Sequence, residues 1–154
     1  MSQNDWKELI ESLAAQNVEF LVVGSTVLAF YARPRFTEDM DLWVRASREN
    51  VERLQEALKS FGLPIIEGSF EPFVTRGDQM VAIGAKPFAV DLFNSIKGLS
   101  FDEAWGNRVE GELFGSKVFY LSLVDFVRSK KAAGRAKDQA DLALLNEVLE
   151  TDER

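Results

Sequence analysis

An apolar run that breaks at a glycine, followed a short helix later by two aspartates opening a second apolar run, leaves this chain few folds. Val18 to Val23 is nearly continuous in apolar residues and stops at Gly24; a run so short and so apolar predicts a buried strand. Ser25 to Ala32 predicts a short helix, and Arg33-Pro34 a turn, because proline disfavours helical geometry in the residue before it. Asp39 to Val44 alternates and is rich in large apolar groups, which predicts a second strand.

The remaining elements follow from periodicity and punctuation. Trp6, Leu9, Ile10 and Leu13 recur at helical spacing and predict a first amphipathic helix. Ser47 is an N-cap for a helix with Val51, Leu54, Leu58 and Phe61 on its inner face and Gly62 closing it. Strands are expected at Phe70–Thr75, Gln79–Ile83 and Pro87–Phe93, a short helix at Phe101–Trp105, and a hairpin from Val109–Leu113 and Lys117–Tyr120 around Gly115. Two helices finish the chain: Ser122–Ala133, with Ser122 and Asp125 as a capping box, and Asp138–Leu149. The expected class is α+β, one mixed sheet with helices packed on it. With 154 residues and no repeat or long linker, a single domain over 1–154 is expected, its core about 18–121 and its C-terminal helices 122–150.

Composition narrows the chemistry. The chain has no cysteine, so disulfides and thiolate sites are excluded, and no histidine. A Ser-His-Asp triad, a His-ligated zinc and imidazole acid–base chemistry are therefore excluded as well. An enzyme built from these residues works with carboxylates, lysine, hydroxyls or a hard metal ion. A net charge of −7 argues against a broadly basic nucleic-acid-coating surface. It leaves room for a local basic segment, and Arg128, Lys130, Lys131, Arg135 and Lys137 form one. Met1 to Asp5 is polar and no apolar run approaches a membrane span, so neither leader nor anchor is expected and the cytoplasm is the expected location.

Asp39 and Asp41 stand two apart in an extended segment, so both side chains project from one face. Like charges side by side need neutralising, and Mg²⁺, a hard cation commonly held by one or two carboxylates plus substrate phosphates, does this well. The doublet alone recurs by chance; its context adds weight. Gly24-Ser25 joins a strand directly to a helix, an arrangement that lets backbone N–H groups approach phosphate oxygens. Asp91 sits inside the apolar run Ala89-Val90-Asp91-Leu92-Phe93, where a carboxylate must be paired, metal-bound or at a solvated sheet edge. On the helix after Ser122, Lys130 continues the stripe of Leu123, Phe126 and Val127 inward, while Lys131 points outward. Asp138 and Asp141 share a face with Leu142 and Leu145. The expectation is that Lys130 enters a cleft and that Asp138 and Asp141 orient Lys130, Arg135 or Lys137; the alternative is that Lys130 snorkels and Asp138 caps its helix.

Val22-Val23-Gly24-Ser25, the helix, and Pro34-Arg35-Phe36-Thr37-Glu38-Asp39-Met40-Asp41-Leu42-Trp43-Val44 together resemble the first half of the nucleotidyltransferase (polymerase β-like) core. The likeness is greatest to AbiEii-type and related minimal prokaryotic nucleotidyltransferases. Val90-Asp91-Leu92 matches the later strand with the third carboxylate, and Lys130 to Leu142 matches the basic segment that follows the core, so the resemblance spans about Val18 to Leu145. It departs at Ser25, where a second glycine is common.

The resemblance implies transfer of a nucleoside monophosphate from an NTP to an acceptor hydroxyl, with Asp39, Asp41 and Asp91 as catalytic, metal-binding carboxylates for two Mg²⁺ ions, Mn²⁺ being an alternative. Gly24, Ser25, Arg35, Thr37, Lys130, Arg135 and Lys137 are then the nucleotide- and phosphate-binding residues, supported by Asp138 and Asp141. AbiEii-type proteins are typically toxins of toxin–antitoxin or phage-defence systems, and some relatives act on tRNA 3′ ends. The partners implied are therefore an NTP, tRNA or another RNA, and a cognate antitoxin or partner chain, with no membrane. The rival expectation is a non-catalytic nucleotide- or partner-binding member of the fold.

Overall fold

The computed structural model describes residues 1–32 and 38–152. Helix α1 (Gln3–Ala15) leads into strand β1 (Phe20–Val23), α2 (Ser25–Tyr31), β2 (Asp39–Val44), α3 (Arg48–Phe61), α4 (Glu71–Thr75), β3 (Met80–Ile83) and β4 (Ala89–Phe93). Then come α5 (Phe101–Gly106), β5 (Val109–Leu113), β6 (Ser116–Tyr120), α6 (Leu123–Ala133) and α7 (Ala136–Asp152). The class is α+β, as expected. The six strands form one mixed sheet in the order β3-β4-β2-β1-β6-β5. β1 runs antiparallel to β2 and parallel to β6, β2 runs parallel to β4, and β3–β4 and β5–β6 are antiparallel pairs. Among the described residues no helix is long and apolar enough to cross a membrane.

Local signals explain most boundaries. Ser2 and Asp5 form a reciprocal capping box on α1. Ser47 Oγ accepts from Asn50 N at 3.2 Å to start α3, and Gly62 closes it with φ 112°. The β5–β6 hairpin turns on Phe114-Gly115, both at positive φ, as a two-residue loop in a right-twisted ribbon requires. Ser122 Oγ accepts from Asp125 N, but Asp125 Oδ2 accepts from Asn107 Nδ2 at 3.3 Å, tying α6 to the end of α5. Asn50, fully buried, accepts from Glu19 N and donates to Glu19 O and Arg45 O, locking α3 to the one end of the β1–β2 pair where β1 begins and β2 finishes.

One expected strand fails. The segment Phe70–Thr75 is not a strand: Glu71–Thr75 is helix α4. Proline in a first helical turn loses no hydrogen bond and arrives with its φ already set. Phe70 and Phe73, three apart, both turn into the core with ring centroids 6.0 Å apart. The apolar spacing was helical, and too short to separate from an alternating one.

The sheet has two unlike faces. Met40, Leu42, Val90 and Leu92 are fully buried and join one core with Leu9, Ile10 and Leu13 of α1 and Val51, Leu54 and Leu58 of α3. Because side chains alternate along a strand, Asp39, Asp41 and Asp91 are set on the opposite face, where each is only partly buried.

Candidate active site

Parallel pairing of β2 with β4 puts Asp41 directly opposite Asp91 and Asp39 opposite Ala89. β4 is not a sheet edge, since β3 covers its other side. Asp91 is therefore an interior aspartate held beside a second one. Burial, then repulsion from Asp91 and Asp39, pushes the Asp41 carboxyl up to about 6, against a smaller opposing pull from Lys137 and Lys130. Burial, then Asp39, raises Asp91 as well, while Lys86 acts the other way. Lys86 Nζ lies 3.7 Å from Asp39 Oδ2 and 3.8 Å from Glu38 Oε2.

Val23 pairs with Asp41, so the antiparallel β1 delivers Gly24 beside the acidic pair. Gly24 has φ 70°, and a Cβ there would stand 2.2 Å from Asp41 Oδ2. Only glycine permits both this backbone and so close a carboxylate. Gly24 also precedes α2 as its N-cap, with Ser25 as the first helical residue.

The opposite wall is cationic. α6 ends at Gly134 in the left-handed region, and the chain turns straight into α7. That turn brings Lys130 against two acids: its Nζ lies 3.2 Å from Asp138 Oδ1 and 3.2 Å from Asp141 Oδ2. Arg135 Nε and Nη2 donate to the two oxygens of Asp138, and Arg135 N–H donates to Oδ2. Arg135 first, then Lys130, hold the fully buried Asp138 carboxyl well below the usual carboxylate range. Asp138 thus binds both cations and, from inside the first turn of α7, accepts the N–H of the residue that precedes the helix. Lys130 is inward and Lys131 exposed. Lys137 is exposed at the cleft.

A cleft of about 560 Å³ joins the two walls. It takes in Gly24, Ser25, Asp39, Asp41 and Asp91 on one side and Lys130, Arg135, Lys137 and Asp138 on the other. Arg35 and Thr37 lie outside the described residues. Sequence reasoning missed Phe93, Ser95, Ile96, Lys97 and Ser129, which also line it. The signals for them were that Phe93 stands two beyond Asp91, on the same strand face, and that Ser95, Ile96 and Lys97 belong to the loop leaving that strand; Ser129 had none.

The donors suit a hard divalent cation in kind: paired carboxylate oxygens whose mutual repulsion a cation would relieve, facing a space able to take phosphates. Among the described residues no three acidic, histidine or cysteine side chains are already closed around one point. Asp41 and Asp91 are the pair in register, and Asp39 would complete the set by leaving Lys86.

No curated protein matches the chain. One protein family does, over residues 2–153, and so across every strand and helix that frames the cleft. The fold is that of a nucleotidyltransferase, and the chain belongs to the family described as nucleotidyl transferase of unknown function (DUF2204).

Proposed function

We propose that this protein is a Mg²⁺-dependent nucleotidyltransferase that moves a nucleoside monophosphate from an NTP to an acceptor hydroxyl. The observation that carries the reading is the in-register pairing of Asp41 with Asp91 beside Gly24, across one cleft from Lys130, Arg135 and Lys137. Mg²⁺ held by Asp39, Asp41 and Asp91 would supply Lewis-acid stabilisation of the phosphates and a more acidic acceptor hydroxyl; Mn²⁺ has the same chemistry. Gly24 and Ser25 offer backbone N–H groups to phosphate oxygens. Arg135 and Lys137 offset the charge of the leaving pyrophosphate. Lys130, fixed between Asp138 and Asp141, sets the field there with little freedom to move. Asp91 accepts the proton of the acceptor hydroxyl as that oxygen attacks the α-phosphorus and the bond to the bridging oxygen breaks, releasing pyrophosphate.

For the acceptor, the basic segment around α6 and α7 supports tRNA or another RNA, and an RNA acceptor would suit a toxin paired with an antitoxin chain. Binding to RNA falls steeply with salt, whereas binding to a small alcohol does not. A second reading, a nucleotide-binding member without turnover, is favoured by one observation: Lys86 stands beside Asp39, and the three carboxylates are not closed on one point. Purified protein with Mg²⁺, each α-labelled NTP, and total RNA or no acceptor separates the two. Transfer by the wild type and none by a folded Asp41→Ala variant is expected. Near-full Mg²⁺-dependent transfer by that variant removes Asp41 from the mechanism, and NTP binding without transfer leaves the second reading.

A further inference from the structure

The far end of the cleft has a chemistry that the triphosphate reading does not use. Phe93 is two residues beyond Asp91 on the same face of β4, about 6–7 Å along the strand. Gly24 lies the other way, because β1 runs antiparallel and its Val23 is opposite Asp41. Along the strand axis the order is therefore Gly24 and Asp39, then Asp41 and Asp91, then Phe93. In a nucleoside triphosphate the α-phosphorus stands between the outer phosphates and the nucleoside. A triphosphate cradled at Gly24, with its α-phosphorus at the aspartate pair, directs its nucleoside toward Phe93.

The space there is walled on both sides. Phe93 and Ile96 form one wall and Ser129 and Ala133 of α6 the other, with Lys97 at the rim. The walls are held together: Gly98 has φ 84°, and a Cβ on it would stand 2.7 Å from Ala132 Cβ, so the loop after β4 lies directly on α6. Two hydroxyls in this end already have acceptors. Ser95 Oγ donates to Asp78 Oδ1 at 2.9 Å, and Ser129 Oγ donates to Phe126 O at 2.8 Å. The proton of each is thus committed, and these side chains offer a flat heterocycle chiefly an aromatic ring, aliphatic carbon and one exposed ammonium.

We infer that this end of the cleft is a nucleobase slot, in which the base of the NTP stacks on Phe93 between the β4 exit loop and α6, with little discrimination among bases. The inference rests on the proposed NTP reading and adds the part of the ligand that reading leaves unplaced. Stacking tolerates any base because every base has a π-face, and base edges are distinguished only by uncommitted donors and acceptors.

The test is calorimetric binding of ATP, GTP, CTP, UTP and inorganic tripolyphosphate to wild type, Phe93→Ala, Phe93→Leu and Phe93→Tyr, all with Mg²⁺. Tripolyphosphate has the phosphates and no base. Its Kd is expected to be unchanged by all three substitutions. The Kd for each NTP should rise about tenfold in Phe93→Ala and Phe93→Leu and recover in Phe93→Tyr. The four NTPs should bind the wild type within about threefold of one another, as stacking without edge reading implies. Phe93→Leu preserves bulk, so it carries the test if Phe93→Ala does not fold. An NTP-to-tripolyphosphate Kd ratio that is the same in wild type, Leu and Tyr forms overturns the slot, as does a strong preference for one base. A wild type that binds neither tripolyphosphate nor NTP overturns the underlying reading instead.

Discussion

Replacing Asp41 by asparagine should stabilise the protein when no ligand is bound. The carboxyl has an ordinary value of 3.8 and in the fold is pushed up to about 6, first by burial and then by Asp91 and Asp39. A group whose pKa is raised on folding binds its proton more tightly in the native state, so its ionisation works against the fold. The cost is absent below about pH 3.8, grows between 3.8 and about 6, and is complete above. At 1.36 kcal/mol per pH unit it reaches about 3 kcal/mol at neutral pH as an upper value. Asparagine keeps the shape and cannot ionise. For a chain this long, about 2–3 kcal/mol corresponds to a rise in Tm of roughly 4–12 °C. Thermal unfolding of wild type and Asp41→Asn in EDTA, from pH 4 to 7.5, measures it. The gap should be small at pH 4, widen toward pH 6 and then level. A variant no more stable than wild type at pH 7, or a gap that ignores pH, refutes the claim that these carboxylates are held together against their repulsion. Adding Mg²⁺ with NTP should reverse the order, because a ligand that needs the charge stabilises only the protein that has it.

Gly24→Ala puts a methyl group onto Asp41 Oδ2 at a backbone angle that disfavours it; NTP binding should fall by at least tenfold in a titration, while Ser25→Ala, which leaves the backbone free, should cost less. Asn50→Ala removes the side-chain partner of the Glu19 N–H and of the Arg45 carbonyl, while Glu19 O keeps the Arg45 N–H; it should lower stability by about 1–3 kcal/mol, read as a lower urea midpoint with an unchanged slope. Lys130→Ala leaves Asp138 and Asp141 short of a cation in a buried place; a loss of about 3 kcal/mol is expected, with part regained in Lys130→Ala/Asp141→Asn. Because Asp138 is held below the ordinary 3.8, its contribution is present above that pH and lost as pH falls below it. Asp138→Asn should therefore flatten the acid limb of the stability profile.

Much of this architecture could be read from local signals. The stripe of Leu123, Phe126 and Val127 carries on to Lys130, and the structure buries Lys130 and exposes Lys131. Ser47 and Gly62 bracket α3 because their cap chemistry acts within a few residues. What could not be read depends on distant partners. Asp41 and Asp91 are fifty residues apart, and nothing in either strand specifies that they pair in parallel and in register. Asp125 was expected to complete a capping box, but Asn107, reached through the β5–β6 hairpin, takes its carboxylate. Lys97 is brought to the cleft on the loop that Gly98 lets settle onto α6, a contact with no trace in the local pattern. The misread segment at Phe70–Thr75 is a different failure, six residues in which two periods fit equally well.

The charge layout narrows what the cleft can hold. Lys130 and Arg135 are matched by Asp138 and Asp141, so the α6–α7 turn is nearly neutral within itself and leaves Lys137 as its outward charge, with Lys97 contributed by the loop after β4. Across from it, Asp41 and Asp91 stay in repulsion. A bare polyanion entering here would meet those carboxylates before it gained much from the lysines. A bare divalent cation would relieve the aspartates and find no acceptor on the other wall. A ligand carrying both signs, a divalent cation already bound to a triphosphate, satisfies both walls together. On the proposed reading the two components must therefore bind with positive coupling, each raising the affinity for the other by the same factor. Titrating NTP at fixed Mg²⁺, and Mg²⁺ at fixed NTP, with each component's affinity for the other in solution subtracted, measures that factor twice. Wild type should give a factor well above one, and Asp41→Asn, in which the acid pair is broken, should bring it close to one. Independent binding of the two components to the wild type would mean that the aspartates and the cationic wall do not serve one ligand.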